Sequence, residues 1–146
     1  MPGKVLDAYS LLAYLEGGPE AKELAHLIKQ ARDSGRNLLI SAVDLGAVLS
    51  LILKELGTQM AAEIERTLET LPITVVSADQ PTARHAAAYK ASKNLPYAAC
   101  FAAALAKVRH AQLVTGDEAF RRLNSDLKIR WLARERRQAR LAEPTR

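Results

Sequence analysis

Asp7 and Asp117 stand where side chains can do chemistry: each directly follows a short run, Lys4-Val5-Leu6 and Gln112 to Gly116, that reads as a strand and its exit. Carboxylates at strand ends suit a hard cation such as Mg²⁺ and the phosphate chemistry that such an ion supports. Other chemistries lack their residues. No Gly-rich phosphate loop follows the first strand, and no Gly-x-Ser-x-Gly elbow occurs anywhere. The three histidines, His26, His85 and His110, have no metal-ligand spacing and read as surface or structural residues. The single cysteine, Cys100, lies in an apolar stretch with no adjacent histidine, so it reads as a buried thiol.

Further polar residues accompany the two acids. Ser10 and Thr115 are placed to hydrogen-bond the acids or a phosphate, or to cap the local backbone. Glu118, next to Asp117, suits a helix N-terminus, where the dipole favours a carboxylate; contact with a metal is its lesser alternative. Ser41 and Asp44 have capping-box spacing, with metal contact the lesser alternative for Asp44.

The elements that must hold these residues alternate. Strands are expected at 4–6, 37–40, 73–76, 112–115 and 128–132. Between them lie helical patterns. Leu11, Leu12 and Leu15 form the first, stopped at Gly17-Gly18. Pro19 sits at a first helical position, and Ala21, Leu24, Leu27, Ile28 and Ala31 give the second helix one apolar face ending at Gly35. Ser41 caps a third helix, with Val43, Ala47, Val48, Leu51 and Ile52 as its stripe and a stop at Gly57. Thr58 caps a fourth, striped by Met60, Ile64 and Leu68. An Ala-rich helix over 79–92 and an almost wholly apolar one from Pro96 to about Val108 follow, and Gly116-Asp117 opens a last helix through Leu123. Such alternation implies right-handed crossovers and a parallel sheet covered on both faces, with sites beyond the carboxyl ends of the strands.

The 146 residues fit one domain, with 49% hydrophobic and 25% charged residues typical of a globular protein. A lone cysteine excludes an internal disulfide framework and points to a reducing cytoplasm. The opening sequence predicts no signal peptide, and no apolar run is long enough to span a membrane. A net charge of +5 favours acidic partners such as nucleic acid. Arginines crowd the end of the chain, so we divide it into a domain over 1–132 and a basic tail over 133–146, either simply solvated or holding RNA or a partner.

Four stretches together resemble the PIN-domain family in its VapC toxin form. Val5-Leu6-Asp7-Ala8-Tyr9-Ser10-Leu11-Leu12 is similar to that family's opening strand and first acid. Ile40-Ser41-Ala42-Val43-Asp44-Leu45-Gly46-Ala47-Val48 resembles the segment of the second acid, a Glu where this chain has Ala47. Leu95-Pro96-Tyr97-Ala98-Ala99-Cys100-Phe101 resembles the helix of the third, an Asp where this chain has Ala99. Leu113-Val114-Thr115-Gly116-Asp117 resembles the fourth. The resemblance implies a three-layer α/β/α domain around a mostly parallel sheet of four to five strands. It implies an endoribonuclease dependent on Mg²⁺ or Mn²⁺, with Asp7 and Asp117 as metal-binding acids. Its partners would be an RNA substrate, a cognate antitoxin and a second copy in a homodimer.

Ala47 and Ala99 depart from that pattern. A methyl group offers a metal no lone pair, so weaker ion binding and strongly reduced cleavage are expected. Natural decay would allow many replacements at these positions, whereas alanine at both is also what deliberate silencing would choose. The alternative is a non-catalytic PIN scaffold that binds RNA or protein. A phospho-receiver domain using Asp7 would need an acid cluster and a late lysine that the sequence does not offer.

Overall fold

In a computed structural model describing residues 3–132, five parallel strands form one sheet in the order β3-β2-β1-β4-β5. The strands are β1 (Lys4–Leu6), β2 (Leu38–Ser41), β3 (Ile73–Val76), β4 (Gln112–Thr115) and β5 (Ile129–Trp131). The helices are α1 (Ala8–Glu16), α2 (Ala21–Ser34), α3 (Ala42–Leu56), α4 (Thr58–Glu69), α5 (Gln80–Lys93) and α6 (Tyr97–Arg109). A 3-10 helix covers Glu118–Leu123. The basic tail assigned to 133–146 lies outside the described residues.

Alternation along the strands builds the three layers. Val5 and Leu113 point to one face, where Cys100 to Ala106 of α6, Ala86 and Tyr89 of α5, and Phe120 and Leu123 cover them. Leu6, Leu38 and Val114 point to the other, against Ala13 of α1 and Leu24, Leu27, Ile28 and Ala31 of α2. Ile40 shares that second face with Leu11, Val48, Ile52 and Ala61 from α1, α3 and α4. Helix α6 buries seven consecutive residues, Cys100 to Ala106, which is why its sequence is apolar on every side.

Strand order reverses between β1 and β4. Chain crossovers leave β1 in opposite directions at this point, opening a crevice beyond the carboxyl ends of the two strands. Leu6 pairs with Val114 and with Ile40, so Asp7 leaves the sheet between Thr115 on one side and Ser41 on the other.

Several local expectations shift. Helix α2 begins at Ala21, not Pro19, because the Glu20 side chain turns inward to accept from the Tyr9 hydroxyl at 2.5 Å. Gly57, not Thr58, is the N-cap of α4, and Met60 is exposed. On α3 the buried line is Asp44, Val48 and Ile52, spaced by four, which leaves Leu51 a turn edge away and largely exposed. The segment opened by Asp117 is a 3-10 helix.

Candidate active site

Asp7 caps α1 and is only 3% exposed. Its Oδ1 accepts from the Ser10 amide at 2.8 Å and the Ser10 hydroxyl lies 2.9 Å away, while the Asp7 amide donates back to Ser10 Oγ at 3.1 Å. Asp7 and Ser10 thus close a reciprocal capping box. The second oxygen, Oδ2, accepts from Thr115 Oγ1 at 2.6 Å. Thr115 in turn accepts from the Asp117 amide at 3.0 Å. One buried hydroxyl therefore ties the first acid to the fourth segment. Asp117 is partly buried and caps the 3-10 helix, its Oδ1 accepting from the Ala119 amide at 2.9 Å.

Burial raises the Asp7 pKa to about 6, against the lowering effect of the Thr115 and Ser10 hydrogen bonds; the nearby Asp117 charge adds to the rise. At neutral pH Asp7 is ionised.

Asp44 does not complete the expected capping box. Ser41 caps α3 through the Val43 amide at 3.0 Å, and the Asp44 carboxyl returns no bond to the cap. It is fully buried, and neither Oδ1 nor Oδ2 has a hydrogen-bond partner of good geometry. Burial, reinforced by the Asp7 charge, raises its pKa to about 8. The Ala8 amide and the Ser41 hydroxyl lie near enough to offset part of that rise, though not aligned to bond. Asp44 also acts on the Cys100 thiol, pushing it up together with burial.

Ala47 lies one turn beyond Asp44 on α3, and Ala99 precedes Cys100 on α6; both are partly exposed. Glu118 begins the 3-10 helix and pairs with Arg121 at 3.5 Å. His26, His85 and His110 are exposed, and Cys100 is a buried free thiol.

Two features of the site were not anticipated from sequence. Gly116 faces the Tyr9 ring so closely that a Cβ there would lie 2.5 Å from Tyr9 Cε1. Tyr9 is held in place by Glu20, itself 1% exposed. Around the same strand ends, Arg121 stacks over Trp131 at 5.4 Å, and Arg122 donates to the Lys93 carbonyl at 2.7 Å. An open hollow of about 690 Å³ at the opposite pole, lined by Lys4, Gln30 and Arg36 among others, gathers no such set of convergent groups.

The donor set is all oxygen, which fits a hard divalent ion, and the orphaned Asp44 oxygens need exactly the kind of partner a cation provides. Among the described residues, however, no three His, Cys, Asp or Glu side chains converge on one point. Two carboxylates supplemented by water satisfy Mg²⁺, so the site fits a single, sparsely held ion better than a full acidic cage.

The PIN domain family profile matches residues 4–125. The chain belongs to the PIN domain family. Solved structures share this PIN fold. A chain of DNA-bound VapBC from Salmonella typhimurium aligns with a TM-score of 0.68 at 19% identity, over 89% of this chain and 98% of that one. VapBC2 from Rickettsia felis, bound to a promoter DNA fragment, gives 0.69 at 12% identity over 88% and 98%. VapC20 from Mycobacterium tuberculosis, a toxin that cleaves the sarcin-ricin loop, gives 0.61 at 15% identity over 82% and 94%. Comparison of the sequence with curated proteins found no match. Among the described residues, no helix of this PIN domain is long and apolar enough to cross a membrane.

Proposed function

We propose that this PIN domain is a VapC-type toxin scaffold built for metal-dependent cleavage of RNA, with catalysis crippled by Ala47 and Ala99. The observation that carries the reading is the Asp7–Thr115–Asp117 link at the point where strand order reverses. Asp7 is held by Ser10 of α1 and Thr115 of β4, and the same threonine hydroxyl accepts from the Asp117 amide. A bound Mg²⁺ or Mn²⁺ would polarise the scissile phosphate and acidify an attacking water. Asp7 and Asp117 would hold and orient that ion. Arg121 and Arg122, on the 3-10 helix that Asp117 caps, would supply positive charge for the RNA backbone.

An antitoxin partner is proposed from the VapBC complexes among the structural neighbours. A homodimer in the cytoplasm belongs to the same reading. Exposed Leu53, Leu56 and Met60 around the α3–α4 junction support an apolar contact with a second copy.

Restoring the two acids tests the proposal. Ala47→Glu with Ala99→Asp should cleave RNA with Mg²⁺ or Mn²⁺, and adding Asp7→Asn should abolish that cleavage. An intact RNA panel with the folded, restored protein in both metals would sink it. The second reading, a non-catalytic RNA-binding module, draws on the two alanines; it expects salt-sensitive RNA binding by the chain as it stands and no cleavage after restoration.

A further inference from the structure

We infer that Asp7 and Asp44 together hold one divalent cation, so that this chain keeps a metal site despite its missing family acids. The inference rests on the nuclease reading for the cation's purpose, and on Asp44 for its place. Asp44 is fully buried with two unpartnered oxygens. Leaving a carboxyl so placed costs far more than leaving an exposed one, unless something compensates it. The Ala8 amide and the Ser41 hydroxyl offset this only in part, and neither forms an aligned bond to it.

The fold brings Asp44 into the neighbourhood of Asp7. Parallel pairing of β1 with β2 sets Asp7 beside Ser41, and Asp44 lies in the following helical turn. The Ala8 amide, next to Asp7 at the start of α1, is its nearest backbone donor, and the Asp7 charge acts directly on it. Asp7 keeps spare acceptor capacity on Oδ2, which accepts from Thr115 alone, whereas the Ser10 amide and hydroxyl both engage Oδ1. Ala47, one turn beyond Asp44 on α3, is a small and partly exposed residue, so no bulky side chain stands between the buried pair and the surface on that turn of the helix. Water and substrate phosphate would fill the remaining positions, as Mg²⁺ requires. Asp117, tied to Asp7 through Thr115, would help orient the ion from farther away, in keeping with the lack of a three-carboxylate cluster among the described residues.

Mn²⁺ titration of the full chain, followed by the EPR signal of the free ion, should show one bound equivalent displaced by excess Mg²⁺. Asp44→Asn should weaken binding by at least about tenfold, the cost of losing even an outer-shell partner. Asp33→Asn, at an exposed acid paired with Lys29, should leave it unchanged. No binding at millimolar Mn²⁺, or binding indifferent to Asp44→Asn, overturns the inference. If Asp44→Asn does not fold, Mn²⁺ broadening of the carboxyl ¹³C signals of the unmodified chain decides. Asp7 and Asp44 should broaden before Asp126, and broadening of surface carboxyls alone overturns the site. These results are independent of RNA cleavage by the restored variant, so the nuclease reading and the cation site can fail separately.

Discussion

Asp7 and Asp44 show how burial and hydrogen bonding set two neighbouring carboxyls apart. Both are desolvated, but Ser10 and Thr115 hold Asp7 near 6 while Asp44, without aligned donors, rises to about 8. Both therefore bind protons more tightly folded than unfolded. Their contribution to stability is complete below pH 4 and is lost as pH rises, first through about 6 and then through about 8. Chemical denaturation in EDTA should thus show stability falling from pH 4 to pH 8. Asp44→Asn, which cannot ionise, should remove the upper part of that fall, so that stability changes less between pH 6 and pH 8 than in the unmodified chain. A pH profile unchanged by the substitution would show that Asp44 does not carry this burden.

Element by element, the site depends on close approaches between helix starts and strand ends. Gly116 admits the Tyr9 ring, which Glu20 anchors from the start of α2. Gly116→Ala should destabilise the fold by about 1–3 kcal/mol through overpacking, and a smaller residue at position 9 should recover part of the loss; urea midpoints of the single and double variants read this directly. Alternation and the wholly apolar α6 made the layers and the strand-end acids legible in the sequence, because strand period and burial leave direct compositional marks. The role of Asp44 was less legible. Its spacing from Ser41 assigns it to a capping box, with metal contact the lesser alternative, whereas the structure buries it in line with Val48 and Ile52. Only the β1–β2 register, which no local pattern encodes, decides between them. The inward turn of Glu20 was hidden for the same reason, since its partner Tyr9 lies on another helix.

At the scale of the whole molecule, the proposed RNA path would combine the acids with a cationic rim. Arg122→Ala should weaken binding of a single-stranded RNA and reduce the salt slope by about 0.7 if it contacts one phosphate; fluorescence anisotropy across a salt series would measure both, and an unchanged slope would place the RNA elsewhere. The strand order adds a constraint in time. Thr115, which completes the bonding of Asp7, is made 108 residues after it. A growing polypeptide therefore carries no assembled centre until most of it has left the ribosome. On the proposed reading, a parent enzyme that cuts RNA would gain its centre only late in its own synthesis.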